Sequence, residues 1–234
     1  MSSRGLVVLP TYNEAENLPT IVEQILSYGP DILVVDDASP DGTGDLAEQL
    51  KQRLYPRLDV LHRPRKAGLG TAYIAGFKRA LEQDYELILE MDCDFSHDPR
   101  HLPTFLERIE TADLVLGSRY IRGGGTVNWS QQRKLISKVG SLYSRLILGL
   151  PYRDLTGGFK CFRRSVLESL DLDSVESNGY AFQIELTYRA HRKGFRIVEV
   201  PIIFQERREG LSKMSRAIVL EAMVKVWHFR FAHS

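Results

Sequence analysis

The chain has 234 residues, 43% of them hydrophobic, with 31 lysines and arginines against 30 aspartates and glutamates and a formal net charge of +1. That size suits one α/β domain with a sizeable core and a short appendage. The two cysteines, Cys93 and Cys161, form no framework, and the lack of a CxxC or Cys/His cluster argues against zinc or redox work and for a reducing compartment.

Apolar runs alternate with helically spaced stretches through the first half. Residues 5–10, 31–36, 58–62, 86–92 and 113–118 read as strands, filled almost continuously with Val, Ile and Leu as strands covered on both faces are. Between them 14–28, 42–54, 71–83 and 99–110 show helical spacing. This βαβ alternation predicts right-handed crossovers and a mostly parallel sheet, an α/β fold. After Ser118 the pattern changes. Arg122 and three glycines predict a loop, 130–148 a helix, 157–162 a strand, 181–193 a helix, 195–204 a strand and 211–231 a last helix. With no repeat or linker, the second half is expected to complete the first. The N-terminus lacks the apolar stretch and cleavage site of a secretory signal, and no run approaches the ~18 apolar residues that span a bilayer. A soluble or peripheral protein is expected.

Two acidic signatures follow hydrophobic strands: Val34-Val35-Asp36-Asp37-Ala38-Ser39-Pro40-Asp41-Gly42-Thr43 and Glu90-Met91-Asp92-Cys93-Asp94. Ligands of open α/β sheets bind beyond the carboxyl ends of the strands, where two such signatures can meet over one ligand. Hard divalent cations take oxygen ligands and bridge carboxylates to phosphates. Asp94 is therefore a candidate to bind Mg²⁺ or Mn²⁺, with Asp92 as a second ligand or a ribose partner. Ser96 and His97 could add a ligand. The plain alternative is a solvated acidic turn.

Pro10-Thr11-Tyr12-Asn13-Glu14 closes the first strand. Thr11 or Asn13 can cap the next helix, with Glu14 and Glu16 in its first turn. Tyr12 could offer a stacking face to a base, and Glu14 an acceptor for its donors. Ser39 and Pro40 read as an N-cap and first helical residue, leaving Asp37 for base contact beside the Val35 backbone. Lys66-Ala67-Gly68-Leu69-Gly70-Thr71-Ala72 precedes a helix and could approach a phosphate, although a plain turn fits as well. From Arg119 to Arg153 the chain carries Arg119, Arg122, Arg133, Lys134, Lys138, Arg145 and Arg153 and no acidic residue, with Ile136, Val139, Leu142, Leu146 and Leu150 near helical spacing. Either a membrane-facing amphipathic helix or a core-facing helix with a charged back fits that pattern.

Together these motifs, with 117–120, 178–185 and a basic stretch at 204–213, resemble glycosyltransferase family 2, of GT-A fold. The resemblance is closest to the dolichol- or polyprenol-phosphate mannosyltransferases, the polyprenol monophosphomannose synthases among them. It implies a GT-A domain over 1–234, with a nucleotide-sugar half (1–118) and an acceptor and membrane-facing half (119–234). Carried over by position, Pro10, Tyr12, Glu14, Val35 and Asp37 would hold the nucleoside. Asp92, Cys93 through its backbone and Asp94 would meet ribose, diphosphate and Mg²⁺ or Mn²⁺. Arg119, Arg133 and Ser137 would receive the acceptor phosphate, and Arg207 and Lys213 would close over the donor diphosphate. Asp94 and Arg119 are thereby the expected catalytic residues. Some relatives place Gln as a metal ligand where Ser96 stands, so water could fill that position.

The implied reaction is inverting transfer of mannose from GDP-mannose to a polyprenyl or dolichyl phosphate. It would run at the cytoplasmic face of a membrane, with the enzyme attached peripherally or through an anchoring partner subunit. No nucleic-acid partner is expected. A UDP-glucose-dependent polyprenyl-phosphate glucosyltransferase, a sugar-1-phosphate nucleotidyltransferase and a non-catalytic nucleotide-sugar-binding or membrane-docking subunit are the alternatives. The nucleotidyltransferase would need a Gly-rich signature after the first strand, which the chain lacks, and intact Asp92, Asp94 and Arg119 argue against the degenerate subunit.

Overall fold

The structure, a computed structural model, describes residues 4–175, 177–205 and 216–232, with the backbone alone for 216–222 and 232. In chain order the elements are β1 (Gly5–Thr11), α1 (Leu18–Ser27), β2 (Asp31–Asp36), α2 (Thr43–Leu54), β3 (Leu58–His62), α3 (Leu69–Leu81), β4 (Leu87–Glu90), α4 (Leu102–Arg108) and β5 (Leu114–Ser118). There follow β6 (Gly125–Val127), α5 (Gln131–Leu148), β7 (Lys160–Arg163), α6 (Arg164–Ser169), α7 (Gly179–Arg192), β8 (Ile197–Pro201), β9 (Ile203–Gln205) and α8 (Arg216–Ala232).

A seven-stranded sheet runs β3-β2-β1-β4-β7-β5-β8, parallel except for β7, and β6 pairs with β9 in a small second sheet. Alternation along β1 explains the two-sided core. Leu6 and Val8 pack into one layer with Tyr73, Phe77, Phe162 and Phe182, while Val7 and Leu9 pack into the other with Leu18, Ile21, Ile25 and Phe105. Each such side chain taken out of water contributes about 1.5–3 kcal/mol.

Most boundaries shift by a few residues from the sequence expectation, and four differences bear on the site. The first helix begins at Leu18 rather than residue 14, because Pro19 sets the first turn. Neither Thr11 nor Asn13 caps it, and Glu14 and Glu16 lie in the preceding turn. Ser39 is not an N-cap either: its hydroxyl donates to Asp36 Oδ1 at 2.6 Å, and left-handed Gly42 precedes α2. Residues 157–159 stay out of β7. The run 195–204 divides into β8 and β9, since Pro201 ends the register with β5 and Ile203 starts the pairing with Gly125. The glycines at 123–125 accordingly make the expected loop a tight return. A Cβ on Gly124 would stand 2.4 Å from the Ser118 carbonyl oxygen.

α5 resolves the question its sequence left open. Its inward residues are Ser137, Ser141, Ser144 and Leu148, whereas Leu135, Ile136, Val139, Leu142 and Leu146 are exposed. Its apolar stripe faces away from the core. In α8, Val226 and Phe229 are buried while Val224, Trp227 and Phe231 are exposed, and the Trp227 indole N–H donates to the Tyr143 hydroxyl of α5 at 2.9 Å.

Candidate active site

β2, β1 and β4 lie side by side, so their carboxyl ends open onto one edge. Thr11 pairs in register with Asp36, and Glu90 with Val8, which carries residues 92–94 past the turn after β1. A cavity of about 340 Å³ lies there, and its wall includes Pro10, Tyr12, Glu14, Asp37, Asp92, Cys93, Asp94, Arg119 and Arg133. Nine expected site residues thus converge from five parts of the chain. Val35 is buried inside β2, Ser96 beneath the cavity and Ser137 on the inner face of α5; none of these three lines it. Arg207 and Lys213 lie outside the described residues.

The acidic pair after β2 divides its labour. Asp36 accepts from the Thr11 hydroxyl at 3.0 Å and from Ser39, so its partners are protein groups that fix the turn. Asp37 faces the cavity with Arg63 Nη1 2.9 Å from Oδ1. Burial pushes its carboxyl up, with Arg63 pulling the other way. Beside it, Lys66 Nζ lies 3.8 Å from the centre of the Tyr12 ring, which puts a cation on one face of that aromatic.

Past β4, Asp94 is buried and its Oδ1 accepts from the Ser96 backbone N–H at 3.0 Å. Asp92 is half-buried, accepts the Tyr73 hydroxyl on Oδ1 at 2.9 Å, and donates its backbone N–H to His97 Nδ1 at 3.0 Å. That last bond engages one nitrogen of His97: a backbone N–H only donates, so Nδ1 accepts. His97, a possible ligand from sequence, lines the cavity with its ring stacked on Phe159 at 5.1 Å. The Cys93 thiol is pushed well up by burial, with the nearby carboxylates adding to it, so it stays protonated and is no nucleophile.

Among the described residues no group of three His, Cys, Asp or Glu side chains could hold a metal. Asp92 and Asp94 nevertheless give two hard oxygen donors on one wall, which fits a Mg²⁺-type cation that takes its remaining ligands from substrate phosphates and water.

The opposite wall is cationic and aromatic. Arg119 is buried and bonded to Asp154 and Thr156, and its guanidinium carbon lies 5.3 Å from the Trp129 ring centre and 5.4 Å from that of Phe204. Arg133 stacks closer on Trp129, at 4.1 Å. The β6–β9 ribbon delivers both aromatics. Sequence reasoning missed Trp129, Phe204, Gln183 and Asp154. For Asp154 a signal existed, an acid six residues before β7 followed by Thr156-Gly157-Gly158, but nothing local linked it to Arg119.

Glu90 and Lys160 form a buried pair beneath this floor, 4.0 Å apart, and Lys160 also donates to the Gln183 side chain. Burial raises the Glu90 carboxyl to about 7, against the pull of Lys160, and lowers the Lys160 ammonium to about 8, against the pull of Glu90.

Comparisons with known proteins agree with this architecture. The chain is 52% identical over 231 residues to an undecaprenyl-phosphate mannosyltransferase of Micrococcus luteus, covering 98% of this chain and 95% of that protein. It is 50% identical over 234 residues to a polyprenol monophosphomannose synthase of Mycolicibacterium smegmatis, covering 98% and 88%. Among solved structures, the glucosyl-3-phosphoglycerate synthase of Mycobacterium tuberculosis, in complex with Mn²⁺, UDP and glucosyl-3-phosphoglycerate, superposes with a TM-score of 0.72 over 97% of this chain and 80% of that one; at 18% identity this shows the shared fold. The family model described as glycosyl transferase family 2 matches residues 6–171, from β1 through the acidic strand ends to just past α6, and the chain belongs to that family.

Proposed function

We propose that the protein transfers mannose from GDP-mannose to a polyprenyl monophosphate, with inversion at the anomeric carbon. The observation that carries this reading is the division of one cavity into a carboxylate wall at Asp37, Asp92 and Asp94 and a guanidinium wall at Arg119 and Arg133. Such a cavity suits two phosphate-bearing substrates, and the names of the two relatives supply the sugar and the lipid class.

In this reading Tyr12, Glu14 and Asp37 hold the nucleoside, with Cys93 contributing its backbone. Asp92 and Asp94 would hold Mg²⁺ or Mn²⁺, which when bound offsets negative charge on the diphosphate. Arg119 and Arg133 orient the acceptor phosphate. A phosphate monoester, with a second pKa near 6, is largely dianionic at neutral pH and needs orientation and charge shielding rather than a general base. One of its oxygens forms the new bond to the anomeric carbon as the bond to GDP breaks, leaving a mannosyl phosphate of opposite anomeric configuration. Arg207 and Lys213 are assigned to the donor diphosphate.

Attachment to the cytoplasmic face of a membrane belongs to the same proposal. No helix among the described residues is long and apolar enough to cross a bilayer. The outward apolar stripe of α5, with Lys134, Lys138 and Arg145 on the same helix and Trp227 and Phe231 of α8 beside it, suits an anionic lipid surface, and a membrane-anchoring subunit could reinforce it.

Incubating the purified protein and Mg²⁺ with GDP-mannose or UDP-glucose and a polyprenyl phosphate, then identifying the glycolipid, tests the reading. Polyprenyl mannosyl phosphate from GDP-mannose is the expected product. A glucolipid from UDP-glucose would overturn the donor, and no glycolipid from either would overturn the acceptor.

A further inference from the structure

Tyr73 is fully buried on α3, and its hydroxyl donates at 2.9 Å to Oδ1 of Asp92, which lines the cavity. Its ring is held on two sides, with Phe77 at 6.0 Å and Phe182 at 6.1 Å between centroids, the latter within 5° of parallel. The helix that carries it lies flush on the sheet: a Cβ on Gly76 would stand 2.3 Å from Val8 Cγ1. The phenol is therefore aimed by packing from α7 on one side and β1 on the other. A large core aromatic satisfies its hydrophobic role through its ring, and phenylalanine would fill the same layer. The hydroxyl bonds the first carboxylate of the Asp92-Cys93-Asp94 signature.

We propose that Tyr73 is a positioning residue for the metal site, holding Asp92 by one oxygen so that the carboxylate offers the other to a divalent cation. Asp92 then has two fixed points, this bond and its backbone bond to His97, and its rotation about the side chain is removed before any ligand arrives. Partners of this kind around metal ligands typically change metal affinity 10–100-fold when removed. The proposal rests on the metal reading given above, and the test separates the two.

The experiment follows Mn²⁺ binding to the full chain, with GDP at saturation, by the loss of the free-ion electron paramagnetic resonance signal. Wild type is compared with Tyr73→Phe, Asp92→Asn, the double variant and Asp94→Ala, alongside GDP affinity measured in EDTA. Tyr73→Phe is expected to weaken Mn²⁺ about tenfold or more, to leave metal-free GDP affinity unchanged, and to add nothing in the Asp92→Asn background. A variant that binds Mn²⁺ as wild type does, or that loses as much in the Asp92→Asn background, overturns the proposal. So does failure of Tyr73→Phe to fold, since the hydroxyl would then be structural. Undiminished Mn²⁺ binding by Asp94→Ala would instead overturn the metal reading itself.

Discussion

Arg119 and Asp154 meet across 35 residues of chain in a two-pronged buried ion pair, Nε to Oδ2 at 2.6 Å and Nη2 to Oδ1 at 2.7 Å, and the same carboxylate accepts the Arg119 backbone N–H at 2.9 Å. The guanidinium that faces the cavity is thus aimed by an acid behind it. Asp154 is held in turn, since its own backbone N–H donates to Glu199 Oε1 at 3.0 Å.

Asp154→Ala should therefore cost more than a surface ion pair would. It leaves a buried guanidinium without its counter-charge, an effect worth about 3–5 kcal/mol. Urea denaturation should show that loss as a lower midpoint at unchanged slope, with activity reduced even where the variant is folded. A change below about 1 kcal/mol, the range of exposed pairs, would mean that Arg119 is solvated in solution.

Arg133 tests the division of the cavity into donor and acceptor walls. It stacks on Trp129 and is proposed to meet the acceptor phosphate, so Arg133→Ala should raise KM for the polyprenyl phosphate about tenfold or more, the scale of one charge-assisted bond. KM for GDP-mannose should stay within about twofold. Steady-state kinetics with each substrate varied in turn decides, and equal losses for both would merge the two subsites.

Glu90 gives stability a pH dependence of known sign. Its carboxyl holds its proton up to about 7 in the folded chain, against about 4.3 when unfolded. The folded state binds the extra proton, so the contribution is fully present below the unfolded value and is lost as pH rises through the folded one. Glu90→Gln should flatten the fall in stability between about pH 4.5 and 7, by up to about 3 kcal/mol. Urea midpoints at pH 5 and pH 7 for both proteins measure it, and parallel pH profiles would show that Glu90 ionises normally.

The outward stripe of α5 makes the membrane proposal specific. The protein should float with anionic vesicles at 0.1 M salt and less at 1 M, as the Debye length shortens from about 10 Å to about 3 Å. Leu142→Asp with Leu146→Asp should abolish flotation while sparing activity on a short water-soluble prenyl phosphate, because both side chains are exposed. Flotation equal to wild type would remove α5 from the contact. No flotation by wild type at low salt, with full activity, would favour a partner subunit.

Much of the fold was legible because it is encoded by runs of neighbours. Val, Ile and Leu fill β1, β2, β4 and β5, and the turns between them carry the Pro, Gly and Asp that stop strands. The nucleotide side of the cavity was legible for the same reason, since Pro10 lies at the end of β1 and Tyr12, Asp37, Asp92 and Asp94 come within four residues after a strand. Boundaries failed where a residue a few positions away overrode the local signal. Ser39 had the look of a cap but bonds Asp36, and Glu14 lies outside α1 because Pro19, five residues on, decides where the helix starts.

The sequence by itself determined the α/β alternation, the strand-end carboxylates and the basic, acid-free stretch from Arg119 to Arg153. Only the tertiary structure decided which way α5 faces, that Asp154 holds Arg119, that His97 bonds the Asp92 backbone and that Tyr73 bonds the Asp92 carboxylate. Periodicity reports that a helix has two faces, but which face is buried depends on what packs against it. Here α5 turns serines inward, against the usual polarity of a surface helix. Side-chain bonds such as Arg119 to Asp154 depend on where separate elements come to rest, and no local spacing records that.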